Sequence, residues 1–195
     1  MMLHKNILIF GTGRAGKTTL ARMFRQKYNC FVLGVDELNM VFSRGYPQLD
    51  IRPDNDQYAA LQAPFIGHFL GTHCTPDQPH IVIEGNYDFE KLIPLWDRYE
   101  RGAFTDRFLL IGLVYPQLTP GQLFADIRAH DTEDDWTRTL SDEALLAHAT
   151  QCITYSQGFT EWYGKYTPHI YDVSHNRAQV LAQIMQDIST AERST

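Results

Sequence analysis

Continuous apolar runs alternate with amphipathic segments along most of the chain. Continuous runs are typical of strands buried on both faces, and apolar residues three and four positions apart are typical of helices. The runs predict five strands, at about residues 5–10, 31–35, 79–83, 107–115 and 168–173. Amphipathic segments lie between the strands and after the last one. This alternation predicts an α/β fold in which helices flank a five-stranded, mostly parallel, doubly wound sheet in three layers.

Capping residues and prolines mark several helix ends. After the fourth strand, Thr119 is a capping residue and Pro120 opens a helix. Between the second and third strands, the polar, turn-rich residues 43–53 precede a helical pattern at 58–69. Pro64 interrupts that pattern, so we expect a kink or two short helices there. Further helices are predicted at about residues 19–28, 88–101, 141–164 and 180–188.

Length and composition bound the class of protein. A chain of 195 residues suits one domain, and 44% hydrophobic residues suffice for a substantial core. The net charge of −6 argues against a general nucleic-acid binder. Three cysteines without a C-x-x-C pair, no cleavable signal and no bilayer-spanning apolar run favour a cytoplasmic protein that does not contact a membrane. We therefore expect a single cytoplasmic domain over residues 1–195, whose oligomeric state the sequence does not indicate.

The strongest motif is a glycine-rich loop between the first strand and the first helix. Residues 11–18 read Gly-Thr-Gly-Arg-Ala-Gly-Lys-Thr and fit the phosphate-binding pattern G-x-x-x-x-G-K-[ST]. Glycines let backbone N–H groups approach an anion, and the helix N-terminus adds its positive dipole end. Lys17 would reach the β- and γ-phosphates of ATP, and the Thr18 hydroxyl would ligate Mg²⁺. The predicted nucleotide-binding residues are Gly11, Thr12, Gly13, Arg14, Ala15, Gly16, Lys17, Thr18 and Thr19. Among them, Arg14 occupies a loop position that often faces solvent.

Carboxylates follow the second and third strands at the point where each strand ends. Asp36 and Glu37 come after the second strand, and Glu84 comes after the third. Ligands of open parallel sheets bind beyond the carboxyl ends of the strands. Asp36 is the predicted general base or acceptor-orienting group, and an N-cap of the next helix is the alternative. Glu84 is predicted to hold Mg²⁺ through water beside Thr18, and a surface turn is the alternative.

Three short motifs resemble the small P-loop kinases, which include adenylate, shikimate and gluconate kinases. They are the loop at 11–18, the sequence Val35-Asp36-Glu37, and the run at 81–87. The third motif is most similar to adenylate-kinase-like topology-modulation proteins, in which this strand ends in Asp-Gly-Asn-Tyr. Glu84 stands here in place of that Asp. The resemblance implies the three-layer P-loop NTPase fold, with ATP and Mg²⁺ as cofactors.

The same resemblance implies further site residues in a lid, an acceptor site and an adenine site. The lid-like segment spans about residues 128–140, and in it Arg128 and Arg138 would clamp the transferred phosphate. The long stretch of about residues 37–76 is a predicted acceptor-binding insertion. The candidate acceptor-binding residues are Asp36, Glu37, Arg44, Arg52, Asn86 and Tyr87. The candidates beside the adenine ring, after the fifth strand, are Ser174 and Asn176.

Two other clusters do not predict a metal site. One consists of His68, His73, Cys74 and His80. Its spacing matches no zinc pattern. The acidic residues at 131–135 lack the loop glycine and terminal glutamate of an EF-hand, and they favour a solvated lid. For Arg44 and Arg52, the alternative to acceptor binding is a solvent-exposed side chain without a ligand.

Together these features predict a kinase that transfers the γ-phosphoryl group of ATP·Mg²⁺ to a small acceptor. The predicted catalytic residues are Lys17, Asp36, Arg128 and Arg138. A nucleoside or nucleotide kinase is the first interpretation. The alternatives are a kinase of a small metabolite, such as a sugar acid, a cyclitol-like alcohol or an antibiotic, and a nucleotide-binding regulatory module without acceptor chemistry. The sequence names neither the acceptor nor a preference for ATP over GTP.

Overall fold

Five strands form one parallel sheet in the computed structural model, which describes residues 3, 5–49, 56–75, 80–133 and 135–191. The strands are β1 (Asn6–Gly11), β2 (Phe31–Gly34), β3 (Ile81–Glu84), β4 (Phe108–Val114) and β5 (Ile170–Asp172). Their order in the sheet is β2-β3-β1-β4-β5. The pairs β1–β3, β2–β3 and β4–β5 are all parallel. The predicted α/β class and the predicted parallel sheet are therefore confirmed.

Helices flank this sheet. They are α1 (Lys17–Tyr28), α2 (Val35–Gly45), α3 (Asp56–His73), α4 (Phe89–Asp97), α5 (Phe104–Arg107), α6 (Pro120–His130), α7 (Asp142–Tyr163) and α8 (Arg177–Ala191). Two 3-10 segments lie at Pro47–Leu49 and Trp136–Thr139. The predicted start of α6 is confirmed, because Thr119 and Gln122 form a reciprocal capping box ahead of Pro120. No helix in the described part of the chain combines the length and apolar character that a membrane span requires.

The residues between β2 and β3 differ from the prediction. Helix α2 begins directly after β2 and continues to Gly45. The first three residues of the predicted turn-rich passage, 43–45, are therefore helical. Helix α3 is one continuous helix that contains Pro64, not two short ones. It approaches α4 closely, because a Cβ atom on Gly67 would lie 2.8 Å from Leu95. Packing against a neighbour thus outweighs the local preference of a proline. The predicted strand start at Pro79 lies outside the described residues.

Helix α4 is shorter than predicted, and α5 was not predicted. Helix α4 ends at Asp97, where the prediction continued it to residue 101. Gly102 has a φ of +84°, a conformation that favours glycine and ends regular structure. The indole Nε1 of Trp96 donates to the Gly102 carbonyl at 2.9 Å, which fixes the turn. The chain then forms the single turn of α5 before it enters β4.

Contacts between Cα atoms group the chain into two compact units. The first contains the described residues up to Phe10, Lys17–Ile111 and those from Met185 onward. Its core is aromatic, with edge-to-face pairs such as Phe10–Phe89 at a centroid distance of 5.0 Å. The second unit contains Gly11–Gly16 and Gly112–Ile184. The boundary between the units divides the glycine-rich loop between Gly16 and Lys17.

Candidate active site

In the first unit, the carboxyl ends of three neighbouring strands lie at one level. Glu84, the last residue of β3, is in register with Gly34 of β2 and Ile9 of β1. The next residue, Gly85, donates its N–H to the Ile9 carbonyl at 3.0 Å. A Cβ atom on Gly85 would lie 2.6 Å from the Cβ of Val35, so glycine permits this close approach. The residues that follow β2 therefore lie beside the end of β3, as the sequence predicts.

Glu84 is the centre of a group of charged and hydroxyl side chains. The Thr18 hydroxyl donates to its Oε1 at 2.9 Å. Glu84 is 7% exposed, and burial is the main cause that raises the pKa of its carboxyl group. The nearby carboxylates of Asp36 and Glu37 raise this pKa further, while the Thr18 hydrogen bond and the charge of Lys17 oppose the shift. Lys17 is itself buried, at the first position of α1.

The donor set at this point fits Mg²⁺. Mg²⁺ prefers hard oxygen ligands and is commonly held by one or two protein oxygens together with phosphates and waters. Thr18 and Glu84 place a hydroxyl and a carboxylate oxygen within 2.9 Å of each other at the first turn of the loop helix. Among the described residues, no three His, Cys, Asp or Glu side chains are grouped to hold a metal ion.

In the second unit, several residues of the glycine-rich loop make contacts with other parts of the chain. The N–H of Thr12 donates to the Leu113 carbonyl at 3.1 Å, and the hydroxyl of Tyr115 donates to the Gly13 carbonyl. At the other end, a Cβ atom on Gly16 would lie 3.4 Å from the Cδ of Arg177. The guanidinium of Arg177 in turn donates to Asp126 at 2.8 Å. These contacts hold the loop against residues that follow β4 and β5 in the chain.

Gly11 is required at the start of this loop. Its φ is +135°, and a Cβ atom there would lie 2.0 Å from the Leu113 carbonyl oxygen. Because the obstacle is backbone, we expect Gly11→Ala to lower the free energy of unfolding by about 3 kcal/mol. Chemical denaturation measures this change. The matched control is Gly121→Ala in α6, where an added Cβ meets nothing within 4 Å. Equal stability of the two variants would contradict the prediction.

Arg14 and the acidic segment differ from the prediction. The Arg14 side chain is bound to other side chains instead of extending freely into solvent. Its Nη2 donates to Asp131 and, at 2.7 Å, to the Thr137 hydroxyl. It also forms an ion pair with Asp135 at 3.2 Å. The Asp131 side chain is only 5% exposed, so the expectation of a solvated acidic lid is wrong at this residue. A paired arginine makes the burial of this carboxylate possible.

The two arginines expected to clamp phosphate have different environments. Arg128 donates from Nη2 to Asp142 and to the Leu140 carbonyl, both at 2.8 Å. Its Nη1 donates to the Thr137 carbonyl at 3.4 Å. The guanidinium of Arg128 thus binds the segment that follows its own helix. Arg138 lies in the 3-10 segment with an exposed side chain. The clamp role of both residues stays a prediction.

The acceptor candidates lie in three settings. Asp36 and Glu37 occupy the first turn of α2 and are exposed, while the N-cap residue is Gly34, so the alternative of an Asp36 N-cap is wrong. Arg44 is exposed in the last turn of the same helix. Asn86 is exposed after β3. Tyr87 is 5% exposed and packs against Phe10 and Phe89, so its ring belongs to the core. Arg52 lies outside the described residues.

The two candidates after β5 have structural contacts. The Ser174 hydroxyl accepts from the Gln117 N–H at 3.1 Å. Asn176 has a φ of +51°, and its carbonyl accepts from the N–H of Gln179 at the start of α8. Sequence reasoning missed Arg177 and Tyr115, which contact the loop. Their position in the sequence is the only signal that could have identified them. Arg177 directly follows Asn176, and Tyr115 directly follows β4.

Comparisons with known proteins support the fold. The sequence matches no protein-family model and no curated protein. Among solved structures, a shikimate kinase from Bacteroides thetaiotaomicron is 14% identical, with a TM-score of 0.61 over 95% of this chain and 98% of that one. A gluconokinase from Sinorhizobium meliloti is 12% identical, with a TM-score of 0.57 over 100% and 97%.

A shikimate kinase from Acinetobacter baumannii in complex with shikimate is 12% identical, with a TM-score of 0.61 over 98% of this chain and 96% of that one. At such identities the likeness establishes the fold and leaves the activity to be argued from the site. The resemblance predicted from the three motifs is confirmed at this level. The chain has the fold of the small P-loop kinases.

Proposed function

We propose that this protein is a kinase that transfers the γ-phosphoryl group of ATP·Mg²⁺ to a hydroxyl group of a small metabolite. The observation that carries the proposal is the hydrogen bond from Thr18 to Glu84 beside the buried Lys17. A cation, a hydroxyl and a carboxylate meet at the N-terminus of the helix that follows a glycine-rich loop. That combination serves phosphoryl transfer, which needs positioning and charge neutralisation more than covalent chemistry.

Each residue of this group has a role in the proposal. The loop N–H groups and Lys17 bind the β- and γ-phosphates and neutralise charge that grows on the bridging oxygen. Thr18 and Glu84 hold Mg²⁺, which supplies further positive charge to the phosphate oxygens when bound. Asp36 orients the acceptor hydroxyl and takes its proton as the new O–P bond forms and the bond to the β-phosphate oxygen breaks.

The likeness to solved structures favours a metabolite acceptor over the nucleoside or nucleotide acceptor that the sequence first suggested. The similar structures include shikimate kinases and a gluconokinase. Small hydroxylated acids and polyols are therefore the first acceptors to test. The exposed position of Asp36 in the first turn of α2 is consistent with an acceptor that arrives from solvent.

A transfer assay tests the proposal. ATP·Mg²⁺ is incubated with separate panels of hydroxy acids, polyols, sugars, aminated antibiotics, nucleosides and nucleoside monophosphates, and the phosphorylated product is detected by mass spectrometry. We expect transfer to a member of the metabolite panels, and we expect Asp36→Asn to lower kcat about 100-fold. Asp106→Asn, an acid in α5 of the same unit, is the control. Transfer only to nucleosides or their monophosphates would overturn the metabolite assignment, and nucleotide binding without transfer to any acceptor would indicate a regulatory module.

A further inference from the structure

The glycine-rich loop is held by contacts at four nearby positions. Thr12 binds Leu113, Gly13 binds Tyr115, and Gly16 packs against Arg177. The fourth anchor is the side chain of Arg14, and its partners come from the acidic segment that precedes α7. The first three anchors act on the loop backbone through two hydrogen bonds and one packing contact. The fourth is an ion pair between residues 117 positions apart.

Arg14 has an unusual backbone conformation for its residue type. Its φ is +63°, in the left-handed region. A residue with a Cβ atom adopts this conformation at a cost of about 1–2 kcal/mol, and glycine adopts it without that cost. Alternating backbone conformations of this kind turn successive N–H groups inward to bind an anion. The strain at Arg14 therefore belongs to the conformation that binds phosphate, and another contact must offset it.

The Nη2 atom of the Arg14 guanidinium contacts three side chains that lie close together. Asp131 accepts from Arg14 and, at 2.7 Å, from the Thr137 hydroxyl. Thr137 is 1% exposed, and Asp135 adds a second carboxylate at 3.2 Å. Because Asp131 and Thr137 bind each other as well as Arg14, neither moves independently. We define these two residues as the Arg14 clamp.

We propose that the Arg14 clamp positions the glycine-rich loop for phosphate, so that Asp131 and Thr137 are positioning residues for nucleotide binding. The proposal rests on the proposed function, because it needs the loop to bind ATP. Neither residue touches a phosphate. They act through Arg14, whose side chain they hold. Without the clamp the loop occupies its binding conformation for a smaller fraction of the time, and the apparent affinity falls by that fraction.

Simple electrostatics predicts the opposite change in ATP affinity when Asp131 is replaced. Asp131 is a carboxylate whose loss leaves the guanidinium of Arg14 less neutralised, beside a loop that binds a polyanion. On charge alone, Asp131→Ala would strengthen ATP binding. Under the positioning proposal the variant weakens it by about 5- to 30-fold, the range that corresponds to the strain at Arg14. The sign of the change therefore separates the two effects.

Isothermal titration of ATP·Mg²⁺ against the full chain tests the clamp. Asp131→Ala and the volume-conserving Thr137→Val are expected to weaken binding, and Glu133→Ala, an exposed acid of the same segment, is the charge-matched control. Arg14→Gly is expected to bind about fivefold more tightly than Arg14→Ala, since glycine adopts the left-handed conformation without the clamp. In the Arg14→Gly background, Asp131→Ala is expected to cause no further loss.

The outcomes separate this proposal from the proposed function. If the wild type binds no nucleotide, both the proposed function and the positioning role are contradicted. If the wild type binds and Asp131→Ala and Thr137→Val bind equally well or more tightly, only the positioning role is overturned. Equal affinities of Arg14→Gly and Arg14→Ala would also overturn it. Thermal unfolding without nucleotide is measured for each variant, and binding is compared at a temperature where all of them are folded.

Discussion

Lys17→Ala lowers kcat by on the order of a thousandfold and leaves the fold intact. This is the largest effect we expect from a single substitution. Lys17 is the one lysine of the loop motif, and it begins the helix whose N-terminus faces the phosphates. In the proposed reaction, its ammonium group would neutralise charge that develops on the β–γ bridge. Because the interaction strengthens as the bond breaks, its loss appears mainly in kcat rather than in KM.

The same helix provides a matched control for Lys17. Lys27 lies at its far end, where the ammonium group donates to the Ser189 hydroxyl and, at 3.4 Å, to the Met185 carbonyl. Lys27→Ala removes an equal charge from α1 and is expected to lower stability by only about 0.5–1 kcal/mol with no effect on turnover. Steady-state kinetics and urea unfolding of both variants make the comparison. Wild-type turnover in Lys17→Ala would contradict the mechanism.

Glu84→Gln is expected to lower turnover about 10- to 100-fold and to increase the Mg²⁺ concentration needed for half-maximal rate. The amide oxygen still accepts the hydrogen bond from the Thr18 hydroxyl, so the substitution removes the charge of the side chain and keeps its shape. Activity measured against Mg²⁺ concentration tests this result. Glu161→Gln, an exposed acid in α7, is the control. An unchanged Mg²⁺ requirement in Glu84→Gln would contradict the assignment of Glu84.

Glu84 also gives stability a pH dependence of known sign. Burial raises the pKa of its carboxyl group in the folded protein, so the folded state binds this proton more tightly than the unfolded state. Between the ordinary pKa of a glutamate, 4.5, and the raised pKa, the unfolded state holds fewer protons, and stability falls as pH rises. Glu84→Gln is expected to remove this component. Urea unfolding from pH 4 to pH 8 measures it, and an unchanged slope in the variant would contradict the cause.

The strands and the loop follow from local sequence features. Apolar runs such as 7–10 and 81–83 predict buried strands, because in a parallel sheet both faces are covered. Thr18 and Glu84 are 66 positions apart, yet their contact is predictable. Glu84 ends β3, and Thr18 lies in the first turn of the helix that follows the loop after β1. The geometry of a parallel sheet brings the carboxyl ends of its strands to one edge.

Other features depend on contacts that no local pattern encodes. Helix α2 starts directly after β2, and α3 continues through Pro64 where it packs closely beside Leu95 of α4. The burial of Tyr87 among aromatic rings removes it from the surface on which the sequence placed it. A local sequence window gives residue type and propensity, and the packing partners lie outside that window.

By itself, the sequence determined the chemistry of the loop. The glycines, Lys17 and Thr18 form a contiguous motif whose backbone sterics and charges act over a few residues, so their spacing suffices. Only the tertiary structure decided what holds that loop in place. Arg14 reads from the sequence as a solvent-facing loop residue, yet it is bound by Asp131 and Thr137 far along the chain. Ion pairs between distant residues form only where the completed fold brings the charges within contact distance and shields them from water.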